Sequence, residues 1–555
     1  MTLITFIGFT LFVAIATWWL TRNKETGTQE GYFLAGRSLS GLVIAGSLLL
    51  TNLSTEQLVG LNGGAFSDGL SVMCWEVIAG CSLVVMALFF LPRYLKSGIA
   101  TIPQFLEERY GRGVRAHTTT VFIVAYTLIL LPFVLYSGAT ALSSMLQLPE
   151  MLGMSERGVI WMVVGFIAIV GSGYAVFGGL RAVAVSDLFN GIGLLVGGFL
   201  ITWFTIRYVA GDSGSFVGVF KKVSAANPDA FVSLGKEGEG THWPTLFTGV
   251  LLLNFFYWCT NQQIIQRTFG AKTLAEGQKG VLLAAFFKIL APLILVVPGI
   301  LALHIANENA AFNATILGAD GVRDGSLVYG SLVRLVLPPA LTGFFAAVLV
   351  GSILSTFNSV LNSSATLFSL GVYQKMKPKA GHKEIVRSGM ICSAVVAVFS
   401  AVSAPIIFFG QDKIFEYFQS LNGVYFIPLL AIILVGMFNR RVNGRSALIT
   451  ACLGLVVMLW GSFFDGTVKV NPEQGIEAVD GWVASIFGSG FHFMGAVFLG
   501  LILLQLALGY AAGMLRKELY VQQDAKVVDL TPWRPAPYVG GVLIISVLSL
   551  YLFLA

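Results

Sequence analysis

Five groups of side chains carry the chemistry open to this chain, and each interrupts an otherwise apolar stretch. Thr51-Asn52-Leu53-Ser54-Thr55-Glu56-Gln57 sets six polar residues around one leucine. Such a run is either a polar helix face packed inside a bundle or an unwound helix whose free carbonyls line a cavity. Asn254-Phe255-Phe256-Tyr257-Trp258-Cys259-Thr260-Asn261-Gln262-Gln263 interleaves amides with aromatics. Amides donate and accept, so they suit a hydroxyl-rich ligand, and an aromatic face covers the apolar face of a pyranose. The alternative there is an aromatic girdle at a membrane interface. Glu76 and Lys288 are single charges in apolar surroundings, either ligand contacts or a mutual ion pair, and the two roles are compatible. Ser352, Ser355 and Thr356 share one helix face, with Asn358, Ser359, Asn362, Ser363 and Ser364 following. Three converging hydroxyls, with carbonyls from a broken helix, would suit a hard alkali cation. They could equally bond back to the carbonyl four residues earlier.

The elements that must position these groups are membrane spans. With 56% hydrophobic and 11% charged residues, a chain of 555 residues does not form an ordinary soluble globule. Apolar runs of bilayer length predict an all-α polytopic protein with about fourteen transmembrane helices. They lie near 3–21, 40–62, 70–93, 117–148, 158–178, 185–210 and 245–266. The others lie near 279–304, 338–373, 387–409, 414–437, 446–464, 487–514 and 537–555. The 338–373 stretch is long enough to project beyond lipid, and 326–336 reads as a short surface helix.

Alternate loops, beginning with 22–39, hold roughly two dozen of the 34 lysines and arginines, including Arg109, Arg112, Arg115, Arg440, Arg441 and Arg516. The positive-inside rule puts those loops in the cytoplasm and both termini outside, as an even number of spans requires. The net charge of +6 is thus a topology signal and calls for no nucleic acid. Met1 to Leu20 has no charged side chain ahead of its apolar run, so it reads as a retained span. The five cysteines, in apolar stretches without paired spacing, read as small core residues.

Spacing adds a further argument. The polar runs sit in the second and seventh spans, five apart, and Glu76 and Lys288 follow one span later in each case. Units offset by five spans enter the membrane with opposite polarity. The expectation is a single transporter domain over 1–555, with inverted repeats at roughly 40–210 and 245–437 and extra helices 3–21, 446–464, 487–514 and 537–555. Binding falls where the two broken helices meet.

At these residues the chain resembles the sodium/solute symporter family, in particular the bacterial sodium/galactose and animal sodium/glucose cotransporters. The likeness is carried by Gly31–Ser38, Thr51–Gly60, Leu91–Tyr110, Tyr174–Asp187, Asn254–Arg267, Gly277–Gly299 and Leu361–Tyr373. The resemblance implies a LeuT-type 5+5 inverted-repeat fold. It implies a sugar site at Asn52, Gln57, Glu76, Asn254, Lys288 and Gln419, with Tyr257 shielding the sugar and Trp258 and Asn261 behind it. The implied outer gate is Leu61, Trp75 and Phe415. The implied sodium site takes carbonyls of Leu50 and Leu53, the backbone of Ser352 and the hydroxyls of Ser355 and Thr356, with Asp187 on the exit route. One position departs: Ala79 stands where the galactose carriers have a serine that helps hold the sugar.

The resulting expectation is sodium-coupled uptake of a hexose, galactose or glucose, across the cytoplasmic membrane by a monomer or homodimer. Another solute, sialic acid or proline, is the alternative. Enzymatic function is not expected, because the five histidines are scattered near span ends or in loops and no metalloprotease helix motif occurs.

Overall fold

The computed structural model describes residues 2–22, 28–211, 214–236, 241–318, 321–410, 414–464 and 481–555, without the side chains of 3, 174–179 and 484. Its framework is helical throughout. Large apolar side chains such as Leu11, Trp18, Phe166, Val398, Leu503 and Phe553 face outward, while long uninterrupted series of apolar residues fill the centre. That inversion of a soluble surface is what a lipid solvent demands.

Among the described residues, eleven helices are long and apolar enough to cross a bilayer, or twelve if Leu274–Leu290 and Pro292–Glu308, bent by 43°, count as one. Pro292 explains that bend, since its ring cannot continue the hydrogen-bond ladder. The expected fourteen exceed this number for a physical reason. The expected spans 40–62 and 245–266 are each built from two short helices, Gly41–Asn52 with Thr55–Asp68 and Gly249–Cys259 with Gln262–Phe269.

The expected spans 158–178 and 185–210 belong to one helical run, Glu156–Ala210, of 55 residues. Gly171 packs on Leu354 and Phe357, and Ser355 reaches Asp187, so both parts lie at the same level of the helix Pro339–Phe368. A straight helix would separate positions 171 and 187 by about 24 Å, so the run doubles back between them. Pro339–Phe368 itself, at 30 residues, is about 45 Å long and outreaches a hydrocarbon core of about 30 Å.

Two expectations are corrected. Gly325–Val336 is not a surface helix: Val328, Tyr329, Leu332 and Val333 are buried, and Gly325 lies directly on Gly63 of the first broken pair. Both glycines lack a side chain at that crossing, so the backbones meet. Cys452 is exposed, with its Sγ 3.8 Å from His117 Nδ1, so it is no core residue; Cys74 and Cys259 are buried as expected.

The elements that hold the centre are the two broken pairs, the bent pair, Pro339–Phe368 and Ile414–Phe438. On the face rich in basic residues, 511–535 runs as an extended strap. Arg516 N–H donates to the Arg441 carbonyl (2.7 Å), Ala525 N–H to that of Lys96 (2.8 Å), and Leu274 N–H to that of Asp529 (2.9 Å).

Candidate functional site: a cavity between two broken helices

The first break falls at Leu53 (φ −72°, ψ 63°) and Ser54 (φ −103°, ψ −173°). Ser54 N–H turns to the Asn52 carbonyl (2.7 Å) and leaves Leu50 without its helical donor. The helix Pro339–Phe368 answers this break with hydroxyls: Ser352 Oγ donates to the Leu53 carbonyl (3.2 Å) and Thr356 Oγ1 to that of Thr51 (3.1 Å). Ser355 Oγ, between them, donates to Asp187 Oδ1 (2.5 Å). The five residues expected to hold sodium (Leu50, Leu53, Ser352, Ser355 and Thr356) are therefore gathered at one buried place, and Asp187 adjoins them. Their donors are all neutral oxygens with a carboxylate one bond away, a set that fits a hard monovalent cation.

The second break lies at Thr260 (φ −138°, ψ −13°) and Asn261 (φ −71°, ψ 119°). Here phenols supply the partners. Tyr94 Oη donates to the Cys259 carbonyl (3.0 Å), while Tyr126 Oη donates to Asn261 Oδ1 (2.5 Å) and accepts from Gln263 N–H (3.0 Å).

Between the breaks lies a narrow cavity of about 30 Å³, which holds a water or two as it stands and has to widen to admit a larger solute. Six of the seven residues expected to contact the solute line it: Asn52, Gln57, Glu76, Asn254, Tyr257 and Gln419. Lys288 does not. It stands fully buried behind the wall, with Nζ 2.6 Å from Glu76 Oε2, bonded to Asn52 Oδ1 and 5.2 Å from the Trp258 ring centroid. The ion-pair reading of Glu76 and Lys288 holds, and through it Lys288 fixes two lining side chains.

Of the expected gate residues, Trp75 and Trp258 line the cavity, and Phe415 meets Trp75 edge-on at 5.6 Å between ring centroids. Leu61 is buried but is not part of the wall; its neighbour Gly60 packs flat on the Phe415 ring. Asn261 sits inside the second break, bonded to Tyr126, away from the lining. Ala79 is also buried and absent from the lining.

Sequence reasoning gave no site role to several participants. Glu56 lines the cavity with Oε2 lacking a hydrogen-bond partner, and Asn422 extends it, its Nδ2 donating to Gln419 Oε1 (3.0 Å). A buried polar ring closes one side of the sodium residues. Arg267 Nε donates to Ser47 Oγ (2.9 Å), and Ser47 Oγ donates to Asp187 Oδ2 (2.6 Å). Arg267 Nη2 also bonds to Ser359 Oγ, which donates to the Ser355 carbonyl (2.6 Å). Arg267 adjoins a loop rich in basic residues, where an arginine is the default, so nothing in its neighbourhood marks it.

A membrane-embedded helical protein that breaks two helices around a polar cavity, and answers one break with hydroxyls, is of the class of secondary transporters. The chain belongs to the sodium:solute symporter family, whose model matches residues 32–454. Sodium and a small solute are the partners this membership brings. Among curated proteins it is 39% identical over its whole length, and over 91% of the other chain, to the uncharacterized symporter YidK of Escherichia coli. It is 31% identical to the sodium/glucose cotransporter of Vibrio parahaemolyticus, covering 82% of this chain and 84% of that one. Among solved structures, a Na+-coupled sialic acid symporter in a substrate-bound outward-open state superimposes with a TM-score of 0.73. It covers 93% of this chain and 99% of its own at 16% identity, a likeness of fold.

Proposed function

We propose that the chain carries a neutral hexose, galactose or glucose, into the cell together with sodium, by alternating access. The observation that carries this reading is the pairing of Ser352 and Thr356 hydroxyls with the carbonyls of Leu53 and Thr51, beside a cavity of amides, carboxylates and aromatic faces. Sodium takes the oxygens of Leu50, Leu53, Ser352, Ser355 and Thr356 in place of those hydrogen bonds, and leaves past Asp187. The hexose docks on Asn52, Gln57, Glu76, Asn254 and Gln419, with Tyr257 closing it off from the cytoplasm and Lys288 holding Asn52 and Glu76 in place.

With each broken pair counted as one span and 156–210 as two, the chain crosses fourteen times. The spans of 40–210 and 245–437 form an inverted 5+5 repeat in the cytoplasmic membrane, with both termini outside. The basic strap side is then cytoplasmic, and Trp75 and Phe415 face outward. Glu76, which lines the cavity and neutralises Lys288 behind it, disfavours an anionic cargo such as sialic acid. The driving force suffices with one ion. A tenfold sodium gradient and 100 mV together supply about 3.7 kcal/mol, enough for roughly 500-fold accumulation.

The test is uptake of labelled galactose and glucose into proteoliposomes under an inward sodium gradient, with potassium as control. Sodium-dependent uptake that is lost in Ser355→Ala and Gln57→Ala is expected. Uptake of neither sugar above the potassium control would remove the hexose assignment and leave the family intact.

A further inference from the structure

The aromatic cover on the outward side of the cavity contains a ring that neither repeat supplies. Trp75 stands between two phenylalanines: Phe415 at 5.6 Å and Phe491 at 5.8 Å between centroids, the latter tilted by 58°. Phe491 belongs to the helix Gly490–Tyr510, one of the helices outside the paired spans. It also reaches the outer end of the second broken helix. A Cβ on Gly249, the first residue of Gly249–Cys259, would lie 2.7 Å from Phe491 Cα and from its ring, so only glycine admits this approach. The neighbouring residues make the same junction. Thr248 Oγ1 is 3.1 Å from His492 Nδ1, and Gly495 packs against the Thr248 side chain.

We propose that Phe491 is the third ring of the outer gate and a positioning residue for the transport cycle. It closes over Trp75 and couples that closure to the outer end of the broken helix, where Gly249 leaves room for it. The inference rests on the reading of Trp75 and Phe415 as the gate. A flanking helix thereby becomes part of the gate, in contact with a mobile element. Without the ring, Trp75 loses one of its two aromatic neighbours and the cavity opens outward more often.

The experiment measures access and does not depend on knowing the cargo. A cysteine is placed at Gln419, one turn deeper than Phe415, in the full chain in outward-oriented vesicles. A charged, membrane-impermeant thiol reagent is applied with sodium present, and labelling of the chain without the added cysteine is subtracted to remove the native thiols. Adding Phe491→Ala is expected to raise the labelling rate about threefold to tenfold, the range set by losing one aromatic pair. Phe491→Trp should restore the parent rate, a rescue that a mere folding defect would not show. Trp75→Ala in the same background reports on the gate itself. Faster labelling in Trp75→Ala with no change in Phe491→Ala would overturn the inference and leave the gate standing. No change in either variant would remove the gate reading, and the inference with it.

Discussion

The two helix breaks use one device and meet different chemistry. At the first, the carbonyls of Thr51 and Leu53 face aliphatic hydroxyls on a neighbouring helix, with Asp187 one bond further away. At the second, the Cys259 carbonyl and the Asn261 amide face two tyrosine phenols. A serine or threonine hydroxyl rotates and has two lone pairs to offer a cation once its proton turns away. The Tyr126 phenol already donates to Asn261 Oδ1 and accepts from Gln263 N–H, so its capacity is taken up within the break. Breaking a helix therefore only frees the backbone; in the proposed reading, the neighbouring element decides whether the opening becomes an ion site or a hinge.

The largest test of this contrast concerns what holds the first break from behind. Lys288→Ala leaves Glu76 buried without its cation, which typically costs about 3–5 kcal/mol. More than hundredfold loss of uptake is expected, with reduced recovery of monodisperse protein on size exclusion. Pairing it with Glu76→Gln should restore the folded yield but not the uptake, because Glu76 lines the cavity.

Next come the hydroxyls. Thr356→Ala should raise the sodium concentration for half-maximal uptake at least about tenfold, equivalent to about 1.4 kcal/mol of ion binding. The sugar KM at saturating sodium should move much less. A change confined to the sugar KM would place the ion elsewhere.

Tyr126→Phe probes the other break. It removes the bond to Asn261 Oδ1 and the acceptor of Gln263 N–H, an effect of about 1–3 kcal/mol that thermal unfolding should detect. Half-saturating sodium should stay within about twofold of the parent if this break serves as hinge only, since a twofold change is about 0.4 kcal/mol.

The smallest expected effect is at Ala79, buried but outside the cavity wall. Ala79→Ser adds one hydroxyl, worth about 1 kcal/mol at most, so the sugar KM should change by no more than about fivefold. A larger gain, with galactose preferred over glucose, would mean that the helix Cys74–Val85 turns toward the sugar during transport.

Much of this site is legible in the amino-acid sequence. Six polar residues within Thr51–Gln57 cannot face lipid, which leaves a polar face inside the bundle or a break beside a cavity, and the structure has the break. Glu76 and Lys288 betray each other in the same way. Arg267 and Ser47 are invisible because a basic residue near a basic loop and a serine in a span are each ordinary; only their meeting at Asp187 is not. Tyr126 lies within the apolar span 117–148 and Tyr94 just past the span 70–93, beside Arg93, and nothing local tells which break they serve. Gly325–Val336 misleads because its short length reads as a surface helix, when Gly63 has made room for it against the first broken pair. A count of long helices falls short of the expected fourteen at the broken pairs, since a length criterion passes over short helices such as Gly41–Asn52 that matter most to the site.

The most direct measurement is a sodium titration of uptake for purified, reconstituted Thr356→Ala and Tyr126→Phe side by side with the parent chain. A curve shifted to higher sodium for Thr356→Ala and superimposable for Tyr126→Phe is the predicted result. Equal shifts in both, or a shift in Tyr126→Phe alone, would contradict the assignment of the ion to the first break.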